Sequence, residues 1–231
     1  IYMGDWSSDV CSSDLRPDEL LQILQENAAT LEDGRIRYRA GCRSVCAIEE
    51  PASSAESPVP WRDGGLYLIS GGAGGLGLLL AEEIVEHAAA HVVLIGRRSQ
   101  SIELQARLTL PRRPGATIEY RSIDVGDAAA VDQLVRSIVE QHGAVTGVIH
   151  AAGVLRDALL VNKSEDDLPA VLAPKLRGAV NLDQATAGQP LDLFVLYSSI
   201  AGLLGNVGQT DYAFANACYM EIGRASCRER V

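Results

Sequence analysis

The chain has 231 residues, enough for one full-sized domain and part of another, and its 47% hydrophobic and 22% charged content is that of a globular protein with a real core. A formal net charge of −10 with no extended Lys/Arg run argues against nucleic acid as a partner, because phosphate binding needs a basic footprint. No stretch nears the roughly 20 apolar residues that cross a bilayer, and no basic-then-apolar leader opens the chain, so a cytoplasmic location is the default expectation.

The two ends read differently from the rest. Segment 1–15 repeats an SSDV/SSDL phrase without helical or strand periodicity, and segment 223–231 breaks an apolar helix pattern and turns abruptly basic. Both resemble translated sequencing-adapter read-through and are expected to be non-native, with genuine disordered tails as the alternative. Cys11 and Cys227 fall in these segments. Cys42 and Cys46 form a CxxxC pair with no second pair and no His cluster, so no metal site is expected; Cys218 reads as a packed small hydrophobe.

In chain order, residues 16–32 carry a short helical pattern (Leu20, Leu21, Ile23, Leu24, Leu31), and 34–48 read as a strand or hairpin. The Pro/Ser/Glu-rich string EEPASSAESPVP is a linker, too polar to pack. The division is therefore 16–62, a small subdomain tail with its linker, and 63–222, the main domain. Leu66–Ser70 begins a regular alternation. A helix follows with Leu76, Leu79, Leu80 and Ile84 on one stripe, then a strand at Val92–Ile95 and a third at Thr117–Ile123. Asp127 caps the next helix, whose stripe is Val131, Leu134, Val135, Ile138 and Val139 and whose stop is Gly143. Gly147–His150 and Leu193–Ser198 are the fourth and fifth strands. Ser164 can cap a helix running to about Ala185, although Pro169 and Pro174 inside it are discordant. Strict alternation of strand and helix predicts an α/β, Rossmann-like, doubly wound parallel sheet with helices on both faces.

The loop after the first strand is Ser70-Gly71-Gly72-Ala73-Gly74-Gly75-Leu76-Gly77, running straight into a helix. Glycine lets the backbone turn tightly and approach a pyrophosphate, whose charge meets the helix N-terminal N–H groups. At the tip of the second strand stand Gly96-Arg97-Arg98 and no carboxylate. An acidic residue there would take the ribose 2′-hydroxyl of NAD, whereas arginine suits the 2′-phosphate of NADPH, so NADPH is the expected cofactor with Arg97 on the phosphate and Arg98 beside it. A pair of solvated arginines is the alternative.

The fifth strand ends in Tyr197-Ser198-Ser199. Tyr212 stands 13 residues after Ser199, Asn216 four further on the same helix face, and Lys175 lies 37 residues before Tyr212. Carbonyl reduction needs a hydride donor, a proton donor and a group that polarises the oxygen. A free phenol has a pKa near 10 and needs a nearby cation. Tyr212 is then the proton donor, Lys175 the cation, Ser199 the hydrogen-bond donor to the substrate oxygen, and Asn216 the holder of a water that replenishes the proton.

The strings GGAGGLG, HAAGVLRDALL, VLAPKLRGAVNL, FVLYSSIAGLLGNVGQ and DYAFANA resemble the ketoreductase domain of bacterial modular polyketide synthases, within the short-chain dehydrogenase/reductase superfamily. Common members of that superfamily carry Tyr-x-x-x-Lys; here it is Tyr-x-x-x-Asn with the Lys on the earlier helix, as in synthase ketoreductases. The phrase GNVGQTDYAFANA is most similar to synthases that use separate acyltransferases. The resemblance implies NADPH-dependent reduction of a β-ketoacyl thioester carried on an acyl carrier protein, with neighbouring synthase domains as partners. It places Asp124 and Val125 beside adenine and Ala151, Ala152 and Gly153 along the cofactor, and it makes residues 16–50 the tail of a cofactor-free subdomain. Asp157 in Leu155-Arg156-Asp157 matches a motif for the D-alcohol, Arg156 departs from it, and Leu204 stands where producers of the L-alcohol have Trp; the D-alcohol is expected. The chain also stops about ten residues after Tyr212 once 223–231 are set aside, which implies a C-terminally truncated sheet without the family's sixth strand, lid helix and last strand. A catalytically inactive structural remnant and a stand-alone short-chain reductase are the alternatives; the complete Ser/Tyr/Lys/Asn set and the preceding subdomain tail argue against them.

Overall fold

A computed structural model of the protein describes residues 16–30, 36–39, 42–45, 59–109 and 113–229. The chain divides into two compact units, Ile1–Pro58 and Val59–Val231. Expectations for segment 1–15, Leu31, Cys46 and most of the linker lie outside the described residues.

In the first unit, α1 (Pro17–Ala28) begins at a Pro in its first turn, where a missing N–H costs nothing, and the Arg16 N–H donates to the Glu19 carboxylate at 3.0 Å. No residue of α1 is buried. Strands β1 (Ile36–Arg39) and β2 (Cys42–Val45) form the expected hairpin, antiparallel with Ile36 opposite Val45.

The second unit is built on β3 (Leu66–Ser70), β4 (His91–Gly96), β5 (Thr117–Ser122), β6 (Gly147–His150) and β7 (Leu193–Leu196), all parallel in the order β5-β4-β3-β6-β7. The chain enters at β3, moves outward to β5, then crosses back to β6, so the winding reverses between β3 and β6. Ligands bind at such a reversal, outside the carboxyl ends of the strands. Alternate residues of β3 feed two cores. Tyr67 and Ile69 pack with α2 (Gly75–His87) and Leu104 of α3 (Ile102–Leu108); Leu66 and Leu68 pack with α4 (Ala128–His142) and Leu182. Helices cover both faces, as the alternation predicts.

Details depart from the periodicity. Of the expected stripe, Ile84 is buried and Leu80 packs half-buried against the core, but Leu76 and Leu79 are exposed, and α2 also buries Leu78, Ala81 and Val85. Gly77 explains the rotation: a Cβ there would lie 2.8 Å from the Gly71 carbonyl oxygen, so this edge must face the loop and Leu76 turns outward. Asp127 does cap α4, accepting from the Ala129 and Ala130 N–H groups, and Gly143 ends it at φ 90°. The expected single helix is three pieces, α5 (Asp167–Leu172) with Pro169, a π-turn at Ala173–Arg177 with Pro174, and α6 (Gly178–Thr186). The wider turn takes up Pro174, which has no N–H to lose. The cap is Asp166 rather than Ser164, whose N–H donates to the Asp167 carboxylate. After α7 (Ala201–Leu204), α8 spans Thr210–Glu229 and so continues past residue 222, as good helix formers such as Ala, Arg and Glu allow. Among the described residues no helix is long and apolar enough to cross a membrane, and no cluster of His, Cys, Asp and Glu is arranged to hold a metal. Cys218 is half-buried, and both it and the exposed Cys42 are free thiols.

Candidate active site

The glycine-rich loop joins β3 to α2 because its backbone goes where side chains cannot. Gly71 has φ +74°, and a Cβ on it would stand 2.7 Å from the Ala151 carbonyl carbon; one on Gly72 would meet Leu94 Cβ at 2.5 Å. The loop is thereby pressed against the end of β6 and leads into the N-terminus of α2. A cleft opens there, lined by Gly71, Ala73, Gly74, Arg97, Arg98, Asp124, Val125, Ala151, Ala152 and Gly153. Gly72 and Gly77 stay outside it as packing glycines, Gly75 stands in open space at the helix start, and Leu76 points to solvent. Ile95, Gly96, Ile123, Val154 and Pro174 complete the wall without having been anticipated. Both arginines are exposed, and among the described residues neither is paired with a carboxylate.

Lys175 lies in the π-turn and is 3% exposed. Its Nζ donates to the Tyr197 carbonyl at 2.9 Å and lies 5.4 Å from the centroid of the Tyr212 ring. Burial pulls its pKa down to about 8. Asn216 is fully buried; its Nδ2 donates to the Tyr212 carbonyl at 2.7 Å, while its Oδ1 has no hydrogen-bond partner among the described residues. Ser198 Oγ donates to the Asn216 carbonyl at 3.2 Å and ties the end of β7 to α8. Ser199 follows on that tie; its Oγ accepts the Ala201 N–H, which leaves its own O–H to donate elsewhere. The fold thus gathers Lys175, Tyr212, Asn216 and the Tyr197–Ser199 turn from three separate elements.

The KR domain family model matches residues 65–229. The chain belongs to the KR domain family. It is 42% identical over 202 residues to polyketide synthase PksN of Bacillus subtilis (strain 168), covering 87% of this chain and 4% of that protein. PksL of the same strain is 40% identical over 201 residues, with 86% and 4% covered, so the chain spans a small fraction of the curated relatives it matches. Among solved structures, a ketoreductase domain from the bacillaene assembly line superposes with a TM-score of 0.81 at 38% identity, covering 91% of this chain and 51% of that one. Levodione reductase, at 24% identity and a TM-score of 0.66 over 72% of this chain and 66% of its own, shares the fold.

In this KR domain the residues singled out for stereocontrol lie on or against the segment that leads into α8, the helix of Tyr212. Asp157 accepts from Gln209 Nε2 at 3.0 Å, the Ala158 N–H donates to the Gly208 carbonyl at 3.0 Å, and Leu204 is exposed at the end of α7. Two buried side chains escaped the spacing arguments. His150, at the tip of β6, makes a short contact to Ser70 Oγ through Nδ1, and its Nε2 lies 3.1 Å from the Lys175 carbonyl oxygen. That oxygen only accepts, so Nε2 carries the proton and Nδ1 accepts from Ser70. Burial holds the ring neutral, with its pKa lowered to about 4. Tyr219 extends the Tyr212–Asn216 face by a further turn, a spacing of 0, 4 and 7 visible in the sequence.

Proposed function

We propose that this domain uses NADPH to reduce a β-ketoacyl thioester, carried on an acyl carrier protein, to the D-3-hydroxyacyl thioester, within a cytoplasmic polyketide synthase. One observation carries the reading: the buried Lys175 ammonium lies over the Tyr212 ring, and its chain neighbour Pro174 lines the cleft that the glycine loop borders.

The cleft fits the cofactor. A Cβ at Gly71 would meet the end of β6, the start of α2 offers its N–H groups, and among the described residues Arg97 and Arg98 pair with no carboxylate at the tip of β4. When bound, NADPH supplies the hydride for the carbonyl carbon. Gly71, Ala73 and Gly74, with the N-terminus of α2, would hold the pyrophosphate, Arg97 the 2′-phosphate with Arg98 beside it, Asp124 and Val125 the adenine, and Ala151 to Gly153 the remaining length. Ser199 donates a hydrogen bond to the substrate oxygen as charge builds on it, and Tyr212 gives that oxygen its proton. The Lys175 ammonium offsets the negative charge left on the Tyr212 oxygen. The unpartnered Oδ1 of buried Asn216 supports its role as the anchor of a water through which Tyr212 regains a proton. Asp157, held by Gln209, and the exposed Leu204 would steer which face of the ketone is presented.

The test is NADPH oxidation with a β-ketoacyl thioester, followed by chiral analysis of the product. Turnover to the D-alcohol is expected. Tyr212→Phe should lower kcat at least ~100-fold, and Arg97→Ala should raise the KM for NADPH while leaving that for NADH unchanged. Equal turnover by Tyr212→Phe would overturn the mechanism, and a wild-type preference for NADH would overturn the Arg97 assignment.

A further inference from the structure

Lys175 is a buried cation without an acid partner among the described residues. Its Nζ has one hydrogen-bond acceptor, the Tyr197 carbonyl, and two ring faces, those of Tyr212 and Tyr219. A desolvated ammonium needs compensation, and an aromatic face supplies it through the ring quadrupole. The nearer face belongs to Tyr219, whose centroid is 4.4 Å from Nζ against 5.4 Å for Tyr212. The same Tyr219 reaches the other end of the residue, where its hydroxyl donates to the Lys175 carbonyl at 3.0 Å. The side chain is 2% exposed, and burial pushes its phenol pKa upward, so the hydroxyl stays a donor. His150 meets the same carbonyl from β6.

We propose that Tyr219 is a positioning residue for Lys175, fixing its backbone through the hydroxyl and supporting its ammonium through the ring face. This rests on the role given to Lys175 above. The titratable groups facing Lys175 are Tyr212 and Tyr219 from α8 and the neutral His150 from β6. Removing electron density from the Tyr219 ring therefore weakens the ammonium's support without altering any other neighbour.

The chain contains two lysines, Lys163 and Lys175, so carbon-13 labelling of lysine gives two assignable side-chain signals, of which that of Lys175 is followed with pH. The informative pair is Tyr219→Phe and the same position carrying trifluorophenylalanine, which share a shape and differ in ring charge. The fluorinated ring should cut the proton affinity of Lys175 about threefold or more relative to Phe, leave Lys163 unmoved, and carry the alkaline limb of kcat downward with it. Coincident Lys175 titrations overturn the ring's role. Against wild type, Tyr219→Phe reads the hydroxyl: kcat falls about fivefold with an unchanged thioester KM, and an unchanged kcat overturns the backbone clamp. If the titrations separate but the wild type reduces no thioester, the functional reading falls while the clamp stands.

Discussion

Lys163 and Asp211 form an ion pair at 2.8 Å with side chains only 8% and 2% exposed, joining positions 48 apart in the chain. The Lys163 ammonium also donates to the Arg156 carbonyl at 2.6 Å, and the other Asp211 oxygen accepts the Tyr212 N–H at 2.9 Å. One buried pair therefore sets the Leu155–Asp157 loop against the start of the helix that carries Tyr212. That loop carries Asp157 and that helix Tyr212, so their mutual placement bears on the proposed choice of ketone face.

Removing one member of a buried pair leaves the other charge unpaired, at a cost of about 3–5 kcal/mol. Asp211→Asn should destabilise the domain by that order in urea unfolding. Replacing both residues with apolar side chains of similar size should cost much less than the sum of the single changes. A double-mutant cycle with additive effects would show that the pair is not coupled.

His150 makes stability sensitive to mild acid. Its pKa falls from 6.5 to about 4 on folding because the ring is buried. Above pH 6.5 the imidazole is neutral in both states and its contribution is fully present. Between 6.5 and about 4 the unfolded chain takes up the proton first, so stability falls as pH falls, by about 3 kcal/mol in total. His150→Gln keeps an N–H for the Lys175 carbonyl and does not titrate. Urea midpoints across this window should decline for the wild type and lose most of that slope in the variant.

Two glycines of the same loop should respond in opposite ways. At Gly71, φ is +74° and a Cβ would stand 2.7–2.8 Å from backbone atoms of Ala151 and Ala152, none of which can yield cheaply. Gly71→Ala should destabilise by about 2 kcal/mol or more and abolish NADPH binding. At Gly75 nothing lies within 4 Å of an added Cβ, and the residue opens α2, so Gly75→Ala should leave the unfolding free energy unchanged or raise it by up to ~1 kcal/mol. Equal losses in the two variants would contradict the geometry of the turn.

The pattern of the sheet was legible because apolar runs and turn residues act locally: each of the five strands lies where its run lies, and Asp127 and Gly143 bound α4 as expected. The placement of the glycine loop and Arg97 along one cleft, of Lys175 by the Tyr212 ring, and of Asn216 one turn beyond Tyr212 was legible for a related reason, since strand ends and helical spacing set it. What escaped depends on contacts distant in sequence. The outward turn of Leu76 follows from Gly77 meeting the Gly71 carbonyl, which helical period alone does not encode. Pro174 looks like a helix breaker until the π-turn absorbs it. His150 and Tyr219 read as packing residues because their shared partner is a backbone carbonyl, which has no letter in the sequence. Lys163 and Asp211 are each ordinary surface residues by composition and are recognised as a buried pair only once the loop is folded onto α8.

Lys175 itself should be a stability liability at neutral pH. Burial lowers its pKa from 10.5 to about 8, so below pH 8 the ammonium is charged in both states and the folded state carries the whole desolvation cost. Between about 8 and 10.5 the native state releases its proton first, the unfolded chain holds more protons, and stability rises with pH. Lys175→Met removes the charge while keeping an unbranched apolar stem. At neutral pH the variant should be more stable than the wild type by on the order of 1–3 kcal/mol, with ketoreduction lost. The gap should close as pH rises through that window, because the wild-type lysine is then neutral as well. Thermal unfolding of both proteins across the same range decides the matter: a pH-independent gap would mean that packing, rather than the buried charge, separates them, and a variant less stable throughout would mean that the Tyr197 and Tyr219 contacts outweigh desolvation.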